Sequence, residues 1–193
     1  MRHNYDVMII GAGIVGMATA YKLLKANKSL KIAVVDKENR VAAHQTGRNS
    51  GVIHSGIYYK PGSSKAKNCL SGRHQLVEFC REHDIRHDIC GKVIVAVNQD
   101  EAGRLDAIYQ RGQENQIEGI RKIGRTELLD LEPYVHGVEA IHVPCAGIVD
   151  FAGVCRKLQE QIEQMGGEVI LTQKDTGIGP GPGGTQVTTQ NHT

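Results

Sequence analysis

Three glycines in the pattern G-x-G-x-x-G occupy residues 11–16, directly after a short apolar run near the start of the chain. That run, residues 5–10, is typical of a strand buried on both faces of a parallel sheet. Apolar residues recur at helical spacing over residues 14–26, and a second apolar run covers residues 31–36. Strand, helix and strand in this order predict one βαβ unit with a right-handed crossover.

The glycines lie where the strand turns sharply into the helix, and each has a steric reason to be there. Gly11 permits the tight turn, Gly13 lets the backbone approach a pyrophosphate group, and Gly16 lets the helix lie close to the strand. The start of the helix, at Ile14, presents backbone N–H groups that favour an anion. In this context the pattern predicts a dinucleotide-binding site.

An acidic residue stands where such a site contacts ribose. Asp36 follows Gly16 by 20 residues, at the end of the second predicted strand, where its carboxylate can accept hydrogen bonds from ribose hydroxyls and repel a 2′-phosphate. Lys37 offsets that repulsion only in part, so NADP is disfavoured. The purely structural alternative is a tight glycine turn with an aspartate at a strand end. The nucleotide interpretation is favoured because all the parts occur in register, but the pattern does not separate FAD from NAD.

Composition and charge argue against several other classes of protein. Lys plus Arg number 23 and Asp plus Glu number 21, so the net charge of +2 gives no strong attraction to nucleic acid. The five cysteines form no Cys-x-x-Cys pair, which argues against a disulfide framework and a metal site. Cys69 and Cys80 share the apolar face of one predicted helix and are expected in the core. No membrane-spanning run or export signal is recognised, so we expect a cytoplasmic protein.

The rest of the chain predicts an α/β domain with an insertion. Residues 37–63 predict a loop with one short helical turn, and the Gly/Pro-rich stretch after residue 174 predicts a loop or hairpin tip. Between them the patterns predict helices at 64–83, 101–115, 126–131 and 151–165, and strands at 92–97, 140–144 and 168–172. Ser63 is expected to cap the first of these helices, and Arg73 to lie on its polar face. The last strand is expected to rejoin the first sheet.

A second motif, residues 44–56 with the sequence HQTGRNSGVIHSG, is followed directly by IYYKPG. Together with the N-terminal glycine pattern, it resembles the D-amino-acid-oxidase-like FAD-dependent oxidoreductases. The likeness continues through KAKNC at 65–69, CGKVIVAV at 90–97, EPY at 132–134 and GIVDF at 147–151. It covers most of the chain, and the block from His44 to Pro61 favours FAD over NAD.

The resemblance implies a Rossmann-like FAD-binding domain with an inserted α+β substrate domain, both incomplete because the chain is expected to be truncated at its C-terminal end. The implied FAD-binding domain comprises residues 1–85 and 148–193, and the implied part of the substrate domain comprises residues 86–147. Thr46 and Ser50 would face the cofactor. The implied reaction oxidises the 2-hydroxy acid L-2-hydroxyglutarate to 2-oxoglutarate by hydride transfer to flavin N5. Electrons would pass to quinone or oxygen. The resemblance also allows the expected cytoplasmic protein to contact the inner membrane peripherally.

The base that takes the hydroxyl proton is the least determined part of the implied site. His54 lies in the flavin-side block, and imidazole ordinarily titrates close to neutral pH, as a general base requires. The alternative is a loop histidine that only bonds to backbone. Lys65 and Lys67 could attract a dicarboxylate, but lysines on a helix face are usually solvated. The tyrosine pair at 58–59 is likewise more typical of half-buried packing than of a substrate wall.

Three alternatives stay open at this point. A relative with the same fold could act on an amine or on glycerol 3-phosphate instead of a 2-hydroxy acid. The chain as given could also be an inactive FAD-binding fragment. An NAD-binding module is the third alternative, and it is disfavoured because it leaves the block at 44–61 unexplained.

Overall fold

The computed structural model describes residues 4–190, which form two compact units. The first unit comprises the described residues up to Ser50 and those from Asp150 onward, and the second comprises Gly51–Val149. The middle of the chain is therefore an insertion into the first unit, as the sequence predicts.

The functional domains expected from the sequence have different limits from these compact units. Their limits, 1–85 with 148–193 and 86–147, stay a prediction, because compactness does not assign a function to a segment. Residues 1–3 and 191–193 of the expected first domain lie outside the described residues.

Strands and helices follow one another closely along the described part of the chain. In chain order they are β1 (Val7–Ile10), α1 (Ile14–Ala26), β2 (Ile32–Val35), β3 (Val52–Ile53), α2 (Ser64–Glu82), β4 (His87–Asp88), β5 (Lys92–Ala96), α3 (Gln99–Glu114), β6 (Arg121–Gly124), α4 (Arg125–Leu131), β7 (Glu139–Val143), β8 (Gly147–Val149), α5 (Phe151–Gln164), β9 (Glu168–Ile170), β10 (Asp175–Gly181) and β11 (Gly184–Thr189). A short 3-10 turn, Gln45–Gly47, lies between β2 and β3 and confirms the predicted helical turn in that loop.

A three-stranded parallel sheet forms the centre of the first unit, in the order β1–β2–β9. β1 and β2 pair in register from Val7 with Ile32 to Ile10 with Val35, and α1 connects them. β9 pairs with the other edge of β2, so the predicted strand that rejoins the first sheet is confirmed. Parallel strands expose their carboxyl ends along one edge of the sheet, which is where ligands bind in folds of this kind.

The first unit is held together by two helices packed against each other and against the sheet. All of Ile32–Val35 is buried, as are Met17 and Leu24 of α1 and Ile162 of α5. A Cβ on Gly167 would lie 2.7 Å from Ile162 and 2.9 Å from Leu24, so the turn after α5 needs glycine to fit between the helices. Each fully buried Leu or Ile side chain contributes roughly 1.5–3 kcal/mol relative to exposure.

The Gly/Pro-rich end of the described chain forms an antiparallel hairpin. β10 and β11 pair from Asp175 with Thr189 to Gly181 with Gly184. The two-residue loop between them contains Gly183 at φ +85°, a backbone conformation that glycine adopts without strain. The hairpin tip predicted from this composition is confirmed.

The second unit contains two three-stranded antiparallel sheets, ordered β3–β8–β4 and β5–β7–β6. Neighbouring residues of β7 enter two different clusters because side chains alternate along a strand. Ile141 and Val143 pack in a cluster with Leu105 of α3, whereas Ala140 packs with Leu128 of α4. The central strand β7 is thus buried on both faces.

Four of the strands in the second unit, β3, β4, β6 and β8, are absent from the prediction. They are two to four residues long, too short for alternation to be recognised. β6 carries the polar sequence RKIG, of which only Ile123 is buried. These strands form because they pair with the edges of strands that are distant in the chain. No local sequence pattern can predict such a pairing.

The prediction for Arg73 is wrong. Arg73 was expected on the polar face of α2, but it is only 6% exposed. Its guanidinium donates to the carbonyl of Cys145 at 3.4 Å and lies 3.5 Å from the Glu118 carboxylate. Residues far away in sequence cover this face of the helix, so helical spacing alone could not reveal it. The predicted Ser63 cap is confirmed, since its hydroxyl accepts from the Ala66 N–H at 3.3 Å.

Within residues 4–190, no helix is both long enough and apolar enough to cross a membrane.

Candidate cofactor site

The glycine turn between β1 and α1 leaves no room for side chains at its tightest point. Gly11 has φ +109°, a conformation that L side chains rarely adopt. A Cβ on Gly16 would lie 2.0 Å from the carbonyl oxygen of Gly11, far inside the contact limit. The turn therefore depends on glycine at both positions.

Thr46 holds the loop that follows β2 against this turn. Its hydroxyl accepts a hydrogen bond from the Ile14 N–H at 3.0 Å, which caps α1 from a distant part of the chain. A Cβ on Gly13 would lie 3.2 Å from the same hydroxyl, so the two segments are closely apposed. Thr46 is 9% exposed. The remaining N–H groups of the first helical turn point toward the position of a bound anion in folds of this type.

Asp36 lies beside the glycine turn at the carboxyl end of β2. One carboxylate oxygen accepts from the Ala12 N–H at 2.7 Å and the other from the Glu38 N–H at 2.9 Å. The chain after β9 closes this corner, because the Gln173 N–H donates to the Asp36 carbonyl at 2.9 Å. Each carboxylate oxygen can accept more than one hydrogen bond, so the side chain is held in place and still has capacity for ribose hydroxyls.

These features fit the adenosine and pyrophosphate part of a dinucleotide. Gly16 lets the start of α1 lie close against the turn and β1, the helix start provides N–H donors, and Asp36 provides an oriented acceptor. The other two residues expected to contact the cofactor, Lys37 and Ser50, are exposed on the same unit. Their contact with a cofactor stays a prediction.

The candidate base His54 belongs to the second unit, directly after β3, and its side chain is exposed. Its carbonyl accepts from the Cys69 thiol at 3.3 Å. The loop that follows is held by Asn115, whose side-chain amide donates to the carbonyls of Gly56 and Tyr59 at 3.3 Å and 2.9 Å. The backbone of His54 is therefore anchored while the imidazole is accessible to a ligand. Its catalytic role stays a prediction.

A lysine that the sequence analysis did not single out has the more unusual environment. Lys92 opens β5 and is half-buried, and burial lowers the pKa of its ammonium group. Its Nζ lies 4.9 Å from the centroid of the Tyr58 ring. Lys65 and Lys67, by contrast, are exposed on α2, as expected of solvated lysines. The sequence feature that could have identified Lys92 is its place at the start of the otherwise apolar run KVIVAV.

The five cysteines lie within the described residues and are all free, but they differ in burial, and Cys90 is exposed. Cys80 and Cys155 are buried, and burial raises the pKa of each thiol to about 11. Cys69 is only half-buried, and burial raises its pKa as well. Thiols of this kind stay protonated at neutral pH and are poor nucleophiles. Among residues 4–190 no group of three or more His, Cys, Asp or Glu side chains could hold a metal ion.

Comparison with known proteins agrees with this geometry. The profile of the FAD dependent oxidoreductase family matches residues 6–193. L-2-hydroxyglutarate dehydrogenase of Indibacter alkaliphilus is 50% identical over 171 residues, which cover 89% of this chain and 43% of that protein. The mitochondrial L-2-hydroxyglutarate dehydrogenase of Homo sapiens is 45% identical over 175 residues, which cover 91% of this chain and 38% of that protein. The chain thus spans about two fifths of the length of these curated relatives.

A solved structure is similar over the whole chain. It is dithionite-reduced L-α-glycerophosphate oxidase from Mycoplasma pneumoniae with FAD bound, which has a TM-score of 0.89 and 30% sequence identity. The match covers 100% of this chain and 51% of that one. The predicted α/β fold with a Rossmann-like parallel sheet is confirmed.

Proposed function

Because the chain belongs to the FAD dependent oxidoreductase family, we propose that the complete protein that carries it oxidises L-2-hydroxyglutarate to 2-oxoglutarate. The observation that supports this substrate is the identity of 50% to a bacterial and 45% to a human L-2-hydroxyglutarate dehydrogenase. The matched region covers 89% and 91% of the chain, so it includes residues of both compact units. The proposal concerns the complete protein because the chain spans about two fifths of those relatives.

The first unit would bind the cofactor. Bound FAD supplies the two-electron acceptor for the hydride that leaves the hydroxyl-bearing carbon. The residues proposed to contact it are Gly11, Gly13, Ile14, Gly16, Asp36, Lys37, Thr46 and Ser50. The glycine turn admits the pyrophosphate and Asp36 receives the ribose hydroxyls, while Thr46 keeps the covering loop in place through the Ile14 N–H.

Proton removal is assigned to His54. Oxidation of a secondary alcohol to a ketone releases a proton from the hydroxyl group, and a positioned base contributes roughly 10²–10⁴-fold to such a step. The imidazole of His54 is exposed, and its backbone is anchored through the Cys69 thiol. It would hold the hydroxyl group by a hydrogen bond and accept its proton.

Replacement of His54 with Asn should lower kcat about 10²- to 10⁴-fold, since an amide cannot take up the proton. FAD content should stay that of the wild type. The measurement is steady-state dye reduction with saturating L-2-hydroxyglutarate, alongside the flavin absorbance of the purified variant. His136→Asn, at another exposed histidine, is the matched control and should keep wild-type kcat. A wild-type rate for His54→Asn would remove His54 from the mechanism.

The substrate assignment is tested by anaerobic reduction of the flavin in the complete protein. L-2-hydroxyglutarate should bleach the flavin absorbance, whereas the D enantiomer, glycine and glycerol 3-phosphate should not. Glycerol 3-phosphate belongs in the panel because the similar solved structure is a glycerophosphate oxidase. Bleaching by glycerol 3-phosphate or glycine, with none by L-2-hydroxyglutarate, would overturn the assignment.

The electron acceptor is proposed to be a quinone or oxygen. The two are distinguished by reducing the flavin with substrate and then measuring its reoxidation, either by a soluble quinone or by oxygen with release of peroxide. We propose a cytoplasmic location, to which a quinone acceptor would add peripheral contact with the inner membrane.

A further inference from the structure

Lys92 carries a charge for which the second unit offers no carboxylate. Among the described residues, no Asp or Glu oxygen lies within 4.0 Å of its ammonium group, although the other half-buried lysines, Lys122 and Lys157, have such partners. The Lys92 charge lies instead over the face of Tyr58, with Nζ 4.9 Å from the ring centroid. Tyr58 is itself 54% exposed, so the pair is open to a ligand.

The groups around Lys92 do not neutralise it. Ionised Cys69 and Cys145 would raise the pKa of Lys92, which identifies these two thiols as neighbours. Burial raises the pKa of both thiols, so at neutral pH they are uncharged. Arg73 adds a second positive charge beside them and is only partly compensated by Glu118 at 3.5 Å. We call Lys92, Tyr58, Cys69, Arg73 and Cys145 the Lys92 cluster.

A half-buried cation without a counter-ion is costly, and proteins usually pair such a charge. A carboxylate-bearing ligand would supply the missing charge and form a charge-assisted hydrogen bond with the ammonium group. Tyr58 adds a flat apolar wall with a hydroxyl donor at its edge. The Lys92 cluster therefore has the chemistry of an anion subsite, in contrast to the solvated Lys65 and Lys67.

The position of the Lys92 cluster relative to His54 suits one particular carboxylate. Cys69 connects the two, since its thiol donates to the His54 carbonyl at 3.3 Å and is near enough to influence the pKa of Lys92. Lys92 and the candidate base therefore lie in the same region of the second unit. In L-2-hydroxyglutarate the second carboxylate is separated from the hydroxyl-bearing carbon by two methylene groups, whereas the first is attached to that carbon directly.

We propose that Lys92, together with Tyr58, binds the carboxylate remote from the oxidised carbon and makes the protein selective for dicarboxylic over monocarboxylic 2-hydroxy acids. This inference rests on the proposed function and adds the residue that recognises the length and charge of the substrate. Lys92 acts here as a specificity residue, and the chemistry at the hydroxyl group does not involve it.

The kinetic test compares L-2-hydroxyglutarate with L-2-hydroxypentanoate, which lacks only the remote carboxylate. In the complete protein, Lys92→Met should raise KM for the diacid about 10- to 100-fold, as expected for a lost charge-assisted bond. Its kcat/KM for the monoacid should stay within about twofold of wild type, and Lys92→Arg should recover part of the diacid preference. Lys65→Met, at a solvated lysine, should leave KM and kcat/KM unchanged for both substrates. Equal loss on both acids in Lys92→Met would overturn the proposal.

A binding measurement separates this inference from the substrate assignment. Isothermal titration of the complete protein with glutarate and with pentanoate, which are not oxidised, should show tighter binding of glutarate, and Lys92→Met should abolish the difference. Lys92-dependent glutarate binding without turnover of L-2-hydroxyglutarate would refute the proposed reaction and keep the anion subsite. Glutarate binding unchanged in Lys92→Met would refute the subsite. If Lys92→Met unfolds, Lys92→Gln carries both tests.

Discussion

Replacement of Gly16 with alanine should abolish measurable FAD binding, with an affinity loss of at least about 100-fold. The added Cβ would lie 2.0 Å from the Gly11 carbonyl oxygen and 3.2 Å from a methyl carbon of Ile9. Backbone cannot retreat as a flexible side chain can, so either the turn opens or α1 moves away from β1. Both displace the N–H groups that bind the pyrophosphate. Overpacking of this kind costs roughly 1–3 kcal/mol or more in stability.

The measurement is flavin absorbance retained after desalting, together with the thermal unfolding temperature. Gly103→Ala is the matched control because Gly103 also lies within a helix, α3, and a Cβ there meets nothing within 4 Å. That substitution should stabilise the protein by up to about 1 kcal/mol, through helix propensity, and leave FAD binding intact. Stoichiometric FAD in Gly16→Ala would show that the glycine turn is not the pyrophosphate site.

Replacement of Asp36 with alanine should weaken FAD binding by about two to three orders of magnitude. The carboxylate accepts from the Ala12 and Glu38 N–H groups, at 2.7 Å and 2.9 Å, so its removal releases both the glycine turn after β1 and the loop after β2. It also removes the acceptor proposed for the ribose hydroxyls, and hydrogen bonds to a charged group are worth roughly 1.5–3 kcal/mol each. Fluorescence titration of the apoprotein with FAD gives the affinity.

Asp6 provides the matched control for this substitution. Its carboxylate also accepts a backbone hydrogen bond, from the Lys31 N–H at 2.8 Å, and it lies on the same unit. Asp6→Ala should lower the unfolding temperature slightly and leave FAD affinity unchanged. If both variants lose affinity to the same extent, the effect of Asp36 is structural and its role as ribose acceptor is wrong.

The elements that the sequence predicts well are those encoded by neighbouring residues. The limits of α1 follow from a glycine turn at one end and the loss of apolar spacing at the other, and the observed helix, Ile14–Ala26, matches the prediction. The strand expected at 168–172, after the Gly166-Gly167 pair, is observed as Glu168–Ile170 and pairs in the first sheet. The prediction failed by two residues at the start of α3, which begins at Gln99 because the Asn98 side chain accepts from the Glu101 N–H and the Glu101 carboxylate accepts from the Val97 N–H.

The same distinction, between features encoded by neighbouring residues and contacts between distant ones, applies to the candidate site. By itself, the sequence determined the glycine turn, the position of Asp36 and the likeness of the block at 44–61, because these depend on residue type and spacing. Only the tertiary structure decided that Thr46 caps α1, that Arg73 is buried and that Lys92 lies over Tyr58 without a carboxylate partner in the described chain. Each of these contacts joins residues more than 30 positions apart, and burial or charge compensation is a property of what packs against a side chain, which periodicity along the chain does not record.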